Sequence, residues 1–184
     1  MTRIIAGEFG GRKIQTPPGR ITRPTSDRTR EGMFSSIEAT HDLSAGAFID
    51  LYAGSGAVGL EAISRGAQTA YLVERDRGAA QSIRENIASL SLSDRALLIE
   101  SDVARTVHAG ARDGATVFVD PPYDVAADDL KAILGSLLEA GLCNQGALII
   151  VERSRRDRWS WPQSVETLRE RRYGETTLWY GLAL

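Results

Sequence analysis

The sequence predicts an α/β fold: a seven-stranded, mostly parallel, doubly wound sheet that ends in an antiparallel hairpin, with a β-hairpin and a helix added at the amino terminus. Three observations carry this reading. From Ala47 onward, short apolar runs alternate with helical patterns, the mark of βαβ units and a parallel sheet. A glycine-rich turn with Gly54, Gly56 and Gly59 follows the first of these runs. Two β-patterned runs around Gly174 close the chain and place an antiparallel pair at one side of the sheet.

The amino-terminal extension covers residues 1–41. Within residues 3–16, two short apolar pieces flank Gly10-Gly11 and read as a hairpin. Pro17, Pro18, Gly19 and Pro24 then make an irregular loop that carries arginines. Ser26 or Asp27 caps a helix in which Met33, Phe34 and Ile37 recur at helical spacing. The hairpin and loop are too short for a core of their own, so the extension must pack on the domain that follows, residues 42–184.

In that domain Ala47–Leu51 is the first strand, and Val58–Arg65 a helix that Gly66 stops. Thr69–Val73 and Gly78–Leu90 form the second strand and its helix. Ala96–Glu100 is the third strand, with a short helix after Asp102. Thr116–Val119 is the fourth, followed by Asp120-Pro-Pro-Tyr123 and a helix near Ala127–Ala140. Ala147–Val151 is the fifth, and Val165–Tyr173 with Thr176–Leu182 the hairpin. Ligands of such sheets sit at the strands' carboxyl ends, near the point where strand order reverses.

Length and composition, 184 residues with 42% apolar and 25% charged, suit one soluble domain. No run of about 18 apolar residues is present, and Met1 opens no apolar signal stretch, so a cytoplasmic location is expected. The single cysteine, Cys143, cannot form an internal disulfide and reads as a small buried or half-buried residue, not a nucleophile. With His41 and His108 far apart, no zinc-type spacing exists and no metal is expected. The net charge of −2 hides an asymmetry of +5 over residues 1–30 and −7 over the rest. A basic arm on an acidic body suits an edge that meets phosphates, with Arg12, Lys13, Arg20, Arg23, Arg28 and Arg30 as its candidate phosphate contacts. A plain solvated surface gives the same pattern, and Arg28 and Arg30 can instead pack on the far side of a bound cofactor. A second cluster, Arg153 to Arg158 beside Trp159 and Trp161, is either a further phosphate-binding site or a surface loop anchored by its tryptophans.

The glycine turn is a G-x-G-x-x-G between a strand and a helix, and Glu74 follows Gly54 by 20 residues at the end of the second strand. A carboxylate there can hold two ribose hydroxyls, which fits NAD as well as S-adenosylmethionine. Asp50 favours the second. It would crowd a pyrophosphate but attract an ammonium and a sulfonium. Asp50 can equally accept hydrogen bonds from the turn's backbone. Asp102 can take an adenine amino group, cap the short helix after it, or do both.

In Asp120-Pro121-Pro122-Tyr123, two prolines fix the backbone and remove two N–H donors. What remains is a carboxylate, carbonyl groups and an aromatic ring. The set suits an exocyclic amine on a base, a poor nucleophile because its lone pair is delocalised into the ring. The Asp120 carboxylate and the Pro121 carbonyl can bind the two amine hydrogens and draw that lone pair out of conjugation, while Tyr123 stacks on the base. Taken alone, the tetrapeptide is also good turn chemistry.

With these motifs in hand, the chain resembles the bacterial 16S ribosomal RNA guanine-N2 methyltransferases that act on guanine 966, over essentially its whole length. Arg3-Ile-Ile-Ala-Gly7, Gly11-Arg-Lys13 and Arg23-Pro-Thr-Ser-Asp-Arg-Thr-Arg-Glu31 are similar to that family's amino-terminal signatures. Ala53-Gly-Ser-Gly56, Gly59-Leu-Glu-Ala-Ile-Ser-Arg-Gly-Ala67, Leu72-Val-Glu74 and Val119-Asp-Pro-Pro-Tyr123 are similar to its methyltransferase motifs. The resemblance implies a Rossmann-like class I fold, S-adenosyl-L-methionine as cofactor, and 16S rRNA in a small-subunit particle or assembly intermediate as partner. It implies that Asp50, Leu51, Tyr52, Ala53, Gly54, Ser55, Gly56, Glu74, Asp102 and Val103 carry the cofactor, and that Asp120, Pro121, Pro122 and Tyr123 hold the target amine. The family often has Phe where Tyr123 stands, so the ring matters and the hydroxyl is dispensable. A monomer with no obligate protein partner is the default expectation. The alternatives are an amino-methyltransferase for adenine or for a protein glutamine, and an NAD-binding oxidoreductase or sensor, which would have no use for Asp-Pro-Pro-Tyr.

Overall fold

The computed structural model describes residues 2–17, 26–107 and 114–184. Nine strands and four α-helices alternate along these residues. A two-stranded sheet pairs β1 (Thr2–Arg3) antiparallel with β2 (Lys13–Ile14). The remaining strands are β3 (Ala47–Leu51), β4 (Thr69–Val73), β5 (Ala96–Ile99), β6 (Gly114–Val119), β7 (Cys143–Ser154), β8 (Val165–Tyr173) and β9 (Thr176–Ala183). They form one sheet in the order β5-β4-β3-β6-β7-β9-β8. The five strands from β5 to β7 run parallel, and β9 pairs antiparallel with both β7 and β8. Helix α1 spans Asp27–Glu38, α2 Ala57–Ser64, α3 Arg77–Ser89 and α4 Ala127–Glu139.

Order reverses between β3 and β6, since β3 leads outward to β4 and β5 while β6 leads the other way to β7. Register aligns the strand ends there. Leu51 lies opposite both Val73 and Val119, Val73 opposite Ile99, and Val119 opposite Val151. The first residues beyond β3, β4 and β6, which include Tyr52, Glu74 and Asp120, therefore emerge along one edge.

Both faces of the sheet are covered, as its continuous apolar strands require. Phe48, Phe118 and Ile150 point to one core; Ile49, Leu51, Val117, Val119 and Ile149 point to the other, which α4 covers with Leu130, Leu134 and Leu137. The first core also contains Ile4, Ile14, Met33, Phe34 and Ile37, so the amino-terminal extension shares the domain's core as its short length demands. Phe34 stacks on Phe48 with ring centroids 6.1 Å apart. Ser26 caps α1, accepting from the Thr29 N–H at 3.1 Å. Gly32 admits Tyr173 of β8, whose ring would lie 2.6 Å from a Cβ at that position.

Polar groups on α2 hold the hairpin. Glu61, fully buried, accepts from the Ile5 and Ala6 N–H groups at 2.6 and 3.0 Å and from Arg65 Nε at 2.7 Å. Ser64 Oγ accepts from the Phe9 N–H at 2.9 Å and donates to the Ala6 carbonyl.

The predicted elements are present with small shifts. The main one is β7, which runs from Cys143 to Ser154 where the apolar run covers only Ala147–Val151. Its polar carboxyl end is paired with β9, Glu152 opposite Leu178 and Ser154 opposite Thr176, and hydropathy carries no trace of that pairing. No helix among the described residues is long and apolar enough to cross a membrane.

Candidate active site

The loop after β3 is built around positive φ angles. Gly54 and Gly56 have φ of 58° and 77°, conformations open to glycine without strain. Tyr52 has φ of 65°, a genuine outlier for a bulky residue of the kind that clusters at functional sites. Gly59, the third glycine of the motif, lets α2 lie against β4: a Cβ there would fall 2.1 Å from Leu72 Cδ2. This matches the helix-to-strand packing role of that position in dinucleotide-type loops.

Two buried carboxylates fasten the loop. Asp50 Oδ2 accepts from the Gly59 N–H at 2.9 Å. Burial pushes the Asp50 carboxyl up to about 7, against the pull of that hydrogen bond and with a further push from the Glu74 charge. Glu74 Oε2 accepts from the Gly54 N–H at 2.9 Å and Oε1 from the Asp76 N–H at 2.8 Å. Each oxygen keeps a second lone pair for a ligand.

Beyond β6, the Asp120 N–H meets the Leu51 carbonyl at 3.4 Å, tying the tetrapeptide to the end of β3. The Val125 N–H takes the Pro122 carbonyl at 3.0 Å, so the turn uses Pro122 and not Pro121. Tyr123 is 77% exposed, the most exposed large aromatic or aliphatic side chain among the described residues. A ring in that state has no part in the core.

A cavity of about 390 Å³ joins the two loops. All four residues of the tetrapeptide line it, with Asp50, Tyr52, Ala53, Gly54, Ser55, Glu74 and Val103. Of the remaining cofactor candidates, Leu51, Gly56 and Asp102 lie outside its wall. Asp102 caps the short helical turn that follows, accepting from the Ala104 N–H at 3.0 Å, and pairs with Arg75 at 3.1 Å. Thr16, Pro17 and Glu152 also line the cavity, where sequence reasoning places none of them, and so does Arg153 of the second arginine cluster.

The basic candidates separate. Arg12, Lys13 and Arg28 are exposed, with Arg12 Nη2 donating to the Ser89 carbonyl at 2.9 Å. Arg20 and Arg23 lie outside the described residues, as does His108. Arg30 is 1% exposed and forms part of the cavity wall. It belongs to the buried face of α1 with Met33, Phe34 and Ile37, and so is not an open phosphate ligand. Arg153 is buried against Asp157 at 2.9 Å, whereas Arg155, Arg156 and Arg158 are exposed. Trp159 is buried edge-on against Trp161, ring centroids 5.5 Å apart, and so anchors its loop. Cys143 is half-buried, and burial pushes its thiol up to about 11.

Comparison with known proteins agrees with this geometry. The family model described as "Conserved hypothetical protein 95" matches residues 2–181. The chain is 35% identical over 156 residues to "Putative rRNA methyltransferase YlbH" of Bacillus subtilis, covering 83% of each chain. It is 36% identical over 150 residues to the ribosomal RNA small subunit methyltransferase D of Escherichia coli K12, covering 82% of this chain and 73% of the relative. The solved structure described as "Putative methyltransferase yhhF from Escherichia coli" superimposes with a TM-score of 0.82 at 31% identity, covering 99% of this chain and 97% of that one. The fold is that of class I methyltransferases, with the carboxyl-terminal antiparallel hairpin in place. By the reach of the family model and the identity to these relatives, the chain belongs to the Conserved hypothetical protein 95 family, that of the small-subunit ribosomal RNA methyltransferases D.

Proposed function

We propose that this protein transfers a methyl group from S-adenosylmethionine to the exocyclic N2 amine of a guanine in 16S rRNA of the small ribosomal subunit, guanine 966 by resemblance. The observation that carries the reading is the register of β3 against β6. With Leu51 opposite Val119, the glycine loop and the Asp120 tetrapeptide open side by side onto one cavity. The relatives' names supply the RNA, and the amino-terminal signatures supply the guanine.

The residues present fit the cofactor. Glu74 retains lone pairs that would hold a ribose diol, Val73 and Val103 would give an apolar wall for a flat base, and the Asp50 carboxylate would attract the cofactor's positive charge. When bound, S-adenosylmethionine supplies an electrophilic methyl group on sulfur. Asp120 and the Pro121 carbonyl accept the amine hydrogens and restore the nitrogen lone pair. Tyr123 would cover the base and fix its angle at the cavity. Arg12, Lys13, Arg20, Arg23 and Arg28 hold phosphates of the RNA.

The test is product identity. Small-subunit particles and free 16S RNA are incubated with the protein and labelled cofactor, then digested to nucleosides. Label in N2-methylguanosine is expected. Label in N6-methyladenosine, or in ribosomal protein, would overturn the guanine reading.

A further inference from the structure

Arg30 is the most unusual polar side chain of the cavity. At 1% exposure it carries a charge that solvent does not reach. Its Nη2 donates to the Arg3 carbonyl at 2.8 Å and to Asp27 Oδ1 at 2.9 Å, and Asp27 is itself half exposed. Nε and Nη1 have no acceptor among the described residues. A guanidinium has five N–H donors, so three of them are buried without an acceptor among the described residues. Buried donors are nearly always paired, and one that is not calls for a ligand or a strain to explain it. Strain is not the reason here, because α1 is regular and capped at Ser26. Position supplies the ligand, since Arg30 and the Asp120 tetrapeptide line the same cavity.

We propose that Arg30 reads the target base by donating to the O6 carbonyl of the guanine whose N2 amine is held at Asp120. This rests on the function proposed above and deepens it. Guanine's pairing edge carries donors at N2 and N1 and an acceptor at O6. The Asp120 carboxylate and the unpaired Nε and Nη1 donors of Arg30 belong to residues that line one cavity, and they supply the acceptor and the donor which that edge requires. Adenine with its amine at Asp120 offers no carbonyl to the cation. Guanine is therefore preferred by leaving fewer buried donors unpaired, the strongest form of selection open to such a site. Arg153 also lines the cavity, with Nη2 bound to Asp157 and the Val125 carbonyl and Nε without an acceptor among the described residues, but Arg30 leaves Nη1 unpaired as well.

The test compares small-subunit particles reconstituted with 16S RNA that carries either guanine or 2-aminopurine at the target position. 2-Aminopurine keeps the N2 amine but lacks both O6 and the N1 hydrogen, so O6 recognition is read from how the ratio changes when Arg30 is replaced. The wild-type protein is expected to methylate guanine about 10–100-fold faster, the range for removing a charge-assisted hydrogen bond. In Arg30→Met the ratio should fall to near one, with the guanine rate dropping to about that of wild type on 2-aminopurine. Arg30→Gln, which keeps a donor for the Arg3 carbonyl, should show the same collapse and serves where the Met variant does not fold. A wild-type ratio near one overturns the proposal without any variant, as does a wild-type ratio retained in Arg30→Gln. Product analysis keeps the two claims apart. N2-methylguanosine from the wild-type protein upholds the proposed function whatever the ratio does, and its absence would sink that function first.

Discussion

Asn86 donates from Nδ2 to the Ser55 carbonyl at 2.9 Å, so a buried amide on α3 holds the glycine loop directly. The same side chain clasps the segment after β2, donating to the Gln15 carbonyl at 2.9 Å and accepting from the Gln15 N–H at 2.7 Å. The amino-terminal extension and the glycine loop thus share one anchor.

Replacing that anchor should be felt at both ends. Asn86→Ala leaves the Gln15 amide and two carbonyls without their buried partner, at a cost of about 2–4 kcal/mol. Denaturant unfolding should show this loss, and calorimetry should show weaker S-adenosylmethionine binding because Ser55 is no longer fixed. Lower stability with unchanged cofactor affinity would mean that the Ser55 bond does not shape the loop.

Asp50 should trade stability for binding. Its carboxyl keeps a proton up to about pH 7 in the folded chain but releases it near 4 when unfolded. Between those values the folded state binds more protons, so this group's contribution to stability falls as pH rises from about 4 through about 7. Asp50→Asn removes that loss and should stabilise the ligand-free protein above pH 7, on the order of 4 kcal/mol at most. Cofactor affinity should drop about ten- to a hundred-fold in the same variant. Melting curves at pH 5 and pH 8.5 provide the check. A variant-to-wild-type difference equal at both values would show that Asp50 is already ionised at pH 5.

The arm's exposed cations should set the salt dependence of RNA binding. Neutralising Arg12, Lys13 and Arg28 together should flatten the plot of log K against log salt. The slope should fall by about 0.7 for each single-strand phosphate no longer neutralised, slightly more for duplex. Cofactor affinity should stay near wild type, since none of the three lines the cavity. An unchanged slope would assign the RNA grip elsewhere, with Arg155, Arg156 and Arg158 the next exposed cluster.

Much of this architecture is legible in the sequence because it is written in hydropathy. Ala47–Leu51 and Thr69–Val73 are apolar runs bounded by turn residues, and the strands have those limits. The glycine loop and the tetrapeptide are legible for another reason: few residue types can make those turns. What hydropathy does not encode is the buried polar joinery. Glu61 and Asn86 read as ordinary charged and polar helix positions, yet both are inside, because backbone groups of the extension need acceptors there. Charge alone groups Arg30 with the basic arm. The sequence also holds a signal to the contrary, since Arg30 precedes Met33 and Phe34 by three and four residues and so shares their helix face. The left-handed Tyr52 leaves no trace in the sequence, as its conformation is imposed by the loop around it.

Tyr123 should act through its ring. Tyr123→Phe is expected to be mild and Tyr123→Ala severe, since base stacking is worth about 1–3 kcal/mol. Single-turnover rates on unmethylated particles would show it. Equal loss in both variants would give the hydroxyl a part in the chemistry.

The claim that two adjacent loops divide the work, one holding the cofactor and the other the amine, is tested most directly by Asp120→Ala. S-adenosylmethionine affinity is measured by calorimetry and methyl transfer by single-turnover assay on the same preparation. Affinity within a few-fold of wild type is expected, with a transfer rate lower by about 10²–10³, the range for removing one preorganised polar group. Affinity that falls as far as the rate, or a rate that does not fall, would contradict it.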